Sequence, residues 1–279
     1  MTMMPVVAAT DGSEESMRAV EWAALEARRH RVPLRIVSAM AAPPQLRTYH
    51  VPGPSGRDAC ARALSEAATR TWEIASDVVT DTDLLAGPPA LAVADTSRRA
   101  LMLAVGARGA GGFDAMPLGS VSRYVAMHAA CPVVVVRQET TAVQREIVLG
   151  VGGSCGMDEA LAFAFDEAAR RDATLAAVHC WWPFPGVVEP DNPEWAAAEA
   201  DRALGELLAP WREKYPEVAV RQDTLRGHPG RVLACYSARA DLVVIGRSAH
   251  GRNEPVIGAV QHSLLGHARG PVAVVPSVV

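Results

Sequence analysis

Aromatic side chains are scarce in this chain: they make up 5% of its 279 residues, although 49% of the residues are hydrophobic. A core of this composition has to be filled mainly by alanine, valine and leucine. Alanine favours helices and valine favours strands, so the composition predicts alanine-rich helices packed on valine-rich strands. The length is sufficient for two domains of about 140 residues each.

Paired cysteines and clustered histidines are also missing. The five cysteines are widely spaced, and none of them forms a C-x2-C pair. Scattered cysteines in an odd number are typical of reduced thiols in a cytosolic protein. The eight histidines do not cluster either; His262 and His267 are five residues apart and do not share a helix face well enough to bind a metal ion. The sequence therefore predicts no metal site built from protein side chains.

The chain has little net charge and no long apolar run. The formal net charge is −4 and the pI is about 6.1, which argues against nucleic acid as a partner. No stretch approaches the roughly 20 apolar residues of a membrane span. The first ten residues lead directly into a predicted strand rather than forming a signal peptide. We therefore expect a cytoplasmic protein that does not use a membrane as a partner.

Short apolar segments alternate with helical segments along the first half of the chain. Strands are predicted at residues 5–10, 34–39, 78–82, 101–105 and 132–136. Helices are predicted at residues 14–29, 57–72, 87–99 and from Ser120 onward, with Ser13 as the N-cap of the first. This alternation favours a parallel sheet with helices on both faces. Such sheets bind ligands at the carboxyl ends of their strands, beside the point where the strand order reverses.

The second half of the chain repeats the first. Four short patterns recur 139 to 141 positions further along: Gly12-Ser13 at Gly153-Ser154, Gly87-Pro88-Pro89 at Gly227-His228-Pro229, Val105-Gly106 at Ile245-Gly246, and Pro132-Val133 at Pro271-Val272. A nearly constant offset indicates a tandem duplication. It predicts two domains, residues 1–140 and 145–279, joined by a short polar segment.

A group of glycines lies between the fourth predicted strand and the fourth predicted helix, with the spacing Gly106-x2-Gly109-x9-Gly119-Ser120. We expect Gly106 and Gly109 to adopt left-handed backbone angles that turn N–H groups toward one point. Gly119 would let a ligand approach the N-terminus of the next helix, where unpaired N–H groups favour an anion. Ser120 and Ser122 would add hydroxyl donors. The pattern predicts a phosphate-binding site.

This pattern differs from the common phosphate-binding motifs. It lacks the lysine of a Walker A loop and the G-x-G-x-x-G spacing of the dinucleotide fingerprint. Each glycine taken singly is also compatible with a simple turn. The complete pattern resembles that of the universal stress protein family, whose nucleotide-binding members carry G-x2-G-x9-G-[S/T] at this place. The resemblance covers essentially the whole chain.

The resemblance implies an α/β fold of two tandem doubly wound, Rossmann-like domains of the adenine nucleotide alpha hydrolase-like type, each with a five-stranded parallel sheet. It also implies ATP, accompanied by Mg²⁺, as the cofactor. The nucleoside part would lie at the ends of the first two strands, near Ala9, Thr10, Asp11 and Ala39. The phosphates would be held by Val105, Gly106, Gly109, Gly119, Ser120, Val121 and Ser122. Arg108 has two interpretations: it reaches a terminal phosphate, or it is a solvated charge.

The two copies differ at positions where a ligand would touch them. In the second copy Gly152 replaces Asp11, Ala249 replaces Gly109 and Ala259 replaces Ser120. The stretch from Gly246 to Gly258 is also one residue shorter than its counterpart in the first copy. Each lost polar contact costs about 1–3 kcal/mol. We therefore expect an intact nucleotide site in the first domain and a degenerate site in the second.

The predicted crevice contains no Ser/His/Asp or Cys/His arrangement, so no catalytic residue is predicted. We expect an ATP-binding regulator that acts on a protein partner through a conformational change of the phosphate loop. Slow ATP hydrolysis or autophosphorylation stays open, as does a structural or chaperone-like scaffold with a vestigial nucleotide site. A nucleotidyl-transfer enzyme is less favoured, because its His-x-Gly-His signature is absent after the first strand.

The fifth strand of each copy predicts how the protein assembles. Residues 132–136 and 271–275 are rich in valine and are expected at a sheet edge, which needs a partner. The resemblance implies that these strands pair across a dimer interface. Here the two copies would pair with each other as an internal pseudo-dimer, and we expect further self-association into a homo-oligomer through other faces.

Overall fold

The computed structural model of the chain describes residues 3–40, 56–109, 117–137, 144–152, 157–181, 193–247 and 258–277. The chain divides into two compact units, Met1–Gln138 and Glu139–Val279. Each unit contains one copy of the sequence repeat.

Within the described residues of the first unit, strands alternate with helices in the order β1 (Val6–Ala9), α1 (Glu14–His30), β2 (Leu34–Met40), α2 (Gly56–Ile74), β3 (Thr80–Ala86), α3 (Pro89–Thr96), β4 (Met102–Gly106), α4 (Ser120–His128) and β5 (Val133–Val136). The strands are parallel and lie in the order β3-β2-β1-β4-β5. The strand order therefore reverses between β1 and β4, which is where sheets of this kind bind ligands.

Helices cover both faces of the first unit's sheet. α1 packs beside α2, α3 packs beside α4, and each of these helices also contacts strands. The side of α1 that faces the sheet is mostly alanine and valine, and β4 is buried along its whole length. Small side chains let a helix backbone approach the strands closely, which accounts for a core with few aromatic residues. The predicted doubly wound α/β fold is confirmed.

The N-terminus of α1 forms as predicted. Ser13 is the N-cap, and its side chain accepts a hydrogen bond from the backbone N–H of Ser16 at 3.3 Å. Glu14 and Glu15 occupy the first turn, where the positive end of the helix dipole stabilises carboxylates. The helix ends at Arg31, a left-handed C-cap with a φ of 56°.

Two predicted boundaries are wrong. β3 begins at Thr80 and continues to Ala86, because the residues just before it form a turn. α3 ends at Thr96, and a single turn of 3-10 helix follows over Ser97–Arg99. The Ser97 hydroxyl donates to the carbonyl of the preceding helical turn and accepts a hydrogen bond from a distant backbone N–H. Side-chain bonds of this kind compete with the α-helical pattern and tighten the last turn.

The described residues of the second unit follow the same alternation: β6 (Glu146–Val151), α5 (Met157–Arg171), β7 (Thr174–Trp181), α6 (Pro193–Lys214), β8 (Val220–Arg226), α7 (Pro229–Tyr236), β9 (Leu242–Gly246), α8 (Ala259–His267) and β10 (Val272–Val275). The strands are again parallel, in the order β8-β7-β6-β9-β10. The repeated Gly153-Ser154 lies outside the described residues. The duplication seen in the sequence is therefore also a duplication of topology.

The cysteines within the described ranges are free thiols. Burial raises the pKa of the Cys131 thiol to about 12 and that of the Cys180 thiol to about 11. The thiolate is the reactive form of cysteine, so both side chains are protonated and unreactive at neutral pH. They act as small packing residues.

The helices in the described ranges are either short or interrupted by charged side chains. The longest, α6 and α2, contain 22 and 19 residues and carry charged side chains along their lengths. No helix in the described part of the chain combines the length and the hydropathy needed to cross a bilayer.

Candidate functional site

A cavity of about 290 Å³ lies at the carboxyl ends of β1, β2 and β4, beside the reversal of strand order. All of the residues predicted to bind nucleotide line it: Ala9, Thr10, Asp11, Ala39, Val105, Gly106, Arg108, Gly109, Gly119, Ser120, Val121 and Ser122. Its volume is at the lower end of the range of small-molecule sites, about 300–1,000 Å³. The structure thus brings together residues from the start and from the end of the first repeat.

The cavity has a buried floor and an exposed rim. Thr10 and Val105, at the ends of the two central strands, are 4% and 3% exposed. Asp11, Gly109 and Ser120 are exposed at the rim. The floor suits an apolar ring, and the rim suits a charged group that stays in contact with water.

Hydroxyl groups hold the turn between β1 and α1. The Thr10 Oγ1 atom lies 3.0 Å from Ser16 Oγ and accepts the backbone N–H of Gly12 at 3.1 Å. Gly12 has a φ of 84°, in the left-handed region that favours glycine. Thr10 and Ser16 are both buried, so these bonds fix the turn rigidly beside the cavity.

The Asp11 carboxylate is oriented by the turn that it begins. Its Oδ1 atom accepts hydrogen bonds from the backbone N–H of Ser13 at 3.0 Å and from the Ser13 hydroxyl at 2.6 Å. The other oxygen, Oδ2, occupies the space that a Cβ atom on Gly109 would need. Asp11 therefore connects the first strand end to the glycine loop and presents an acceptor at the rim of the cavity.

The reason for glycine at positions 106 and 109 differs from the prediction. Neither residue has a left-handed φ, so that expectation is wrong. A Cβ atom on Gly106 would lie 2.7 Å from the carbonyl carbon of Glu15 and 2.8 Å from the amide nitrogen of Ser16, in the first turn of α1. A Cβ atom on Gly109 would collide with the Asp11 carboxylate. Close approach of backbone and side chain, rather than backbone angle, requires these glycines.

Helix α4 begins at the cavity, and no side chain of the described residues caps it. Its N-cap is Gly119, whose backbone N–H donates to the carbonyl of Ala107 at 2.8 Å. A Cβ atom on Gly119 would lie 3.3 Å from that carbonyl oxygen and 3.4 Å from the α-carbon of Arg108. The N–H groups of the first helical turn and the Ser120 hydroxyl are therefore presented to the cavity, as an anion-binding helix N-terminus requires.

Ser122 does not act as the predicted hydroxyl donor to a ligand. Its side chain is 5% exposed, and its hydroxyl donates to the carbonyl of Gly106 at 2.6 Å. A serine hydroxyl has one proton to donate, so Ser122 ties α4 to the end of β4. Ser120 is the exposed hydroxyl at this helix N-terminus.

Arg108 is held by an ion pair, so the interpretation of it as a solvated charge is wrong. Its guanidinium Nη2 atom lies 2.8 Å from Glu15 Oε1, and the two side chains are 37% and 18% exposed. Glu15 comes from the first turn of α1, which packs against the end of β4. The pair joins the glycine loop to α1 at the edge of the cavity.

Sequence reasoning missed three residues that line the cavity: Ser16, Pro89 and Val93. Pro89 and Val93 are four residues apart on α3, so they share one face of that helix. The sequence did predict that a helix starts at Gly87-Pro88-Pro89. The four-residue spacing on that helix then indicates that Pro89 and Val93 face the same way. Ser16 was detectable as the first buried residue after the N-cap of α1.

The second unit replaces Ser122 with Gln261, which changes the start of the helix. The buried Gln261 side chain donates to the carbonyl of Gly246 at 2.8 Å and accepts the backbone N–H of Gly258 at 3.0 Å. The N-terminus of α8 is therefore capped by a side chain of its own first turn. Ala249, expected to replace the second loop glycine, lies outside the described residues.

Comparisons with known proteins agree with this architecture. The model of the universal stress protein family matches residues 3–137 and 144–276. Universal stress protein Rv2623 of Mycobacterium tuberculosis is 34% identical over 293 residues, which cover 96% of this chain and 95% of that protein. Universal stress protein Rv2005c of the same species is 34% identical over 291 residues and 96% of both chains.

A solved structure extends the comparison to the fold. The universal stress protein from Archaeoglobus fulgidus DSM 4304 superposes with a TM-score of 0.71 at 18% sequence identity, covering 98% of this chain and 96% of the other. The family matches fall on both copies of the repeat. The chain therefore belongs to the universal stress protein family, as a member with two of its domains in tandem.

Proposed function

We propose that the first domain binds ATP, with Mg²⁺ accompanying the triphosphate, and that the protein is a nucleotide-responsive stress regulator. The observation that carries this proposal is the pairing of two features in one cavity. Asp11 supplies a carboxylate acceptor to the lining of the cavity, and the N-terminus of α4, which no side chain of the described residues caps, supplies backbone donors. A ligand with hydrogen-bond donors at one end and negative charge at the other fits this arrangement.

The nucleoside end of the proposed ligand is assigned to the floor of the cavity. Ala9, Ala39, Pro89 and Val93 offer apolar contacts of the kind that an adenine ring needs. The carboxylate of Asp11 is an acceptor only, so it suits the sugar hydroxyls or the exocyclic amine. Binding would bury this apolar surface and leave the charged end at the rim.

The phosphate end is assigned to the start of α4. The backbone N–H groups after Gly119 and the Ser120 hydroxyl supply donors, and the helix dipole favours negative charge there. Ser122 supports these donors by tying α4 to Gly106. The glycine pattern of the family falls on this same segment, which adds to the support.

We propose that the second domain binds nucleotide much more weakly. The side-chain oxygen of Gln261 already accepts the backbone N–H of the N-cap Gly258, and its side-chain amide donates to the carbonyl of Gly246. A phosphate would have to displace this side chain, whereas the described residues of the first domain place no such cap on α4. Gly152, in place of Asp11, also removes the carboxylate acceptor.

Mass spectrometry of the freshly purified protein under native conditions tests the proposed ligand. We expect a mass increment of one ATP per chain, because only the first domain offers both ends of the site. Denaturation of the same sample should release adenine nucleotide in an equal amount. A purified chain that carries no nucleotide and does not take up added ATP would favour the scaffold function instead.

Regulation is proposed to act through the segment from Arg108 to Pro117, of which residues 110–116 lie outside the described ranges. Arg108 is held by Glu15 at one end, and the Pro117 carbonyl accepts a hydrogen bond from Arg137 at the other. Both ends lie beside the donors assigned to the phosphates. Binding at those donors would therefore change the surface that this segment presents to a partner protein.

Limited proteolysis tests this regulatory step. We expect ATP to slow cleavage between residues 108 and 117 by about tenfold, because ligand binding lowers the population of cleavable conformations. Cleavage elsewhere in the chain is the internal control, and the sites are read by peptide mass. Equal cleavage of the segment with and without saturating ATP would contradict the proposed mechanism.

A further inference from the structure

Glu15 places a carboxylate on donors of the glycine loop. Its Oε2 atom accepts the backbone N–H of Arg108 at 2.7 Å, while Oε1 accepts Nε at 2.9 Å and Nη2 at 2.8 Å. One backbone N–H and one guanidinium edge form a donor set that also binds phosphate oxygens. Because the Glu15 side chain is only 18% exposed, the pair is partly shielded from water. The Glu15 carboxylate therefore already occupies donors of the glycine loop that could bind a phosphate.

The neighbouring acidic residue has a different partner. Glu14 lies 3.2 Å from the Arg70 guanidinium, and its side chain is 57% exposed. Arg70 is on α2, whereas Arg108 follows β4. Two carboxylates in one helical turn thus point to separate arginines, and Glu15 is the one that contacts the residue lining the cavity.

The surroundings of this pair are rich in arginine. Arg137, after β5, donates to the Pro117 carbonyl, and Arg18 donates to the Arg137 carbonyl at 3.3 Å. Burial lowers the pKa of the Arg137 guanidinium, Glu15 opposes this by raising it, and Arg108 lowers it further. These charges therefore act on one another. A corner of this kind attracts an anion with more than one negative charge.

We infer that Glu15 and Arg108 form a latch that selects nucleoside triphosphates, in which Arg108 exchanges the Glu15 carboxylate for the outermost phosphate. This inference rests on the proposed nucleotide site. A monophosphate is held by the donors at the start of α4 while the latch stays closed. The additional charge of a triphosphate competes with Glu15 for Arg108, and the released carboxylate returns to solvent.

The latch predicts opposite effects for its two members. Glu15→Gln keeps the size of the side chain and an acceptor for the Arg108 N–H, but it removes the charge that competes with phosphate. We expect the Kd for ATP to fall about tenfold, the worth of one charge-assisted contact, with the Kd for AMP changed less than about twofold. Arg108→Gln should raise the Kd for ATP about tenfold or more and again leave AMP nearly unchanged.

Glu14→Gln is the matched control, because it removes the same charge from the same helical turn without touching Arg108. Calorimetric titration of the full chain with ATP, ADP and AMP compares the wild type with the three single variants and with the double variant Glu15→Gln/Arg108→Gln. We expect Glu14→Gln to behave as the wild type. In the Arg108→Gln background, Glu15→Gln should lose most of its effect, as coupled residues do. Thermal unfolding of each variant checks that the fold is intact.

The results separate this inference from the function on which it depends. A wild type that binds none of the three nucleotides overturns the proposed function and the latch together. If the wild type binds ATP and AMP, but Glu15→Gln changes the two Kd values equally or changes neither, the latch alone is overturned. The latch is also overturned if Glu14→Gln changes the Kd for ATP as much as Glu15→Gln does. A general loss of negative charge would then explain the tighter binding of ATP.

Discussion

We expect replacement of Gly119 by glutamate to lower the ATP affinity by about a hundredfold or more, equivalent to at least about 2.7 kcal/mol of binding free energy. Two physical effects act together. The new Cβ atom would lie 3.3 Å from the Ala107 carbonyl oxygen and 3.4 Å from the α-carbon of Arg108, so these neighbours have to move by a few tenths of an ångström. The carboxylate would also introduce negative charge at the helix N-terminus that is assigned to the phosphates.

Isothermal titration with ATP measures this effect, and the repeat provides its control. Gly258→Glu makes the same change at the N-cap of α8, in the domain whose helix start is already occupied by Gln261. We expect Gly258→Glu to leave the affinity and the stoichiometry of the high-affinity site unchanged. Gly119→Ala separates the steric effect from the charge. Wild-type affinity in the folded Gly119→Glu variant would place the phosphates elsewhere.

We expect replacement of Gly106 by alanine to destabilise the fold by about 3 kcal/mol, the upper part of the usual range for overpacking. The added methyl group would lie 2.7 Å from the carbonyl carbon of Glu15 and 2.8 Å from its oxygen. These are backbone atoms of α1, so relief requires the whole helix to move away from β4. A flexible side chain, by contrast, would relieve the strain by a rotation.

Urea denaturation of the full chain measures this loss of stability. Gly152→Ala is the control, because a Cβ atom at that position meets no atom of the described residues within 4 Å, its chain neighbours aside. We expect it to change the free energy of unfolding by less than about 0.5 kcal/mol, as surface substitutions usually do. If the two variants are equally stable, then the close approach of α1 to β4 does not restrict residue 106 to glycine.

Much of the fold was predictable from local patterns. The buried strands β1 and β5 are continuous runs of valine and alanine, and β1 begins directly after Pro5. Ser13 marks the start of α1, and Pro89 marks the start of α3. The edge strand β3 was placed incorrectly because its side chains are half exposed or exposed, so that hydrophobic periodicity gives it little signal.

The site was predictable as a set of residues but less so as a set of contacts. In the sequence, a strand is followed by a glycine loop and then by a helix start. This order correctly predicted that Gly109, Gly119 and Ser120 line one cavity. The sequence pattern did not show that the Ser122 proton is used within the protein, because its acceptor is the backbone of another element. Turn propensity likewise could not reveal that Gly106 is restricted by a helix packed against it.

Glu15 was missed for a related reason. An acidic residue in the first turn of a helix is explained locally by the helix dipole, so nothing in the pattern indicates a distant partner. Its partner, Arg108, is 93 residues away along the chain. Gln261 is likewise not marked by the groups that the second repeat has lost, because this position gained a side chain that binds two backbone groups.

Photocrosslinking of the full chain with 8-azido-ATP, followed by peptide mapping, tests most directly whether the first domain holds the nucleotide. We predict crosslinked peptides from the ends of β1 and β2 and from α3, around Ala9, Ala39 and Val93, and competition by unmodified ATP should remove them. Specific crosslinks confined to residues 144–277, with none in the first repeat, would contradict the account.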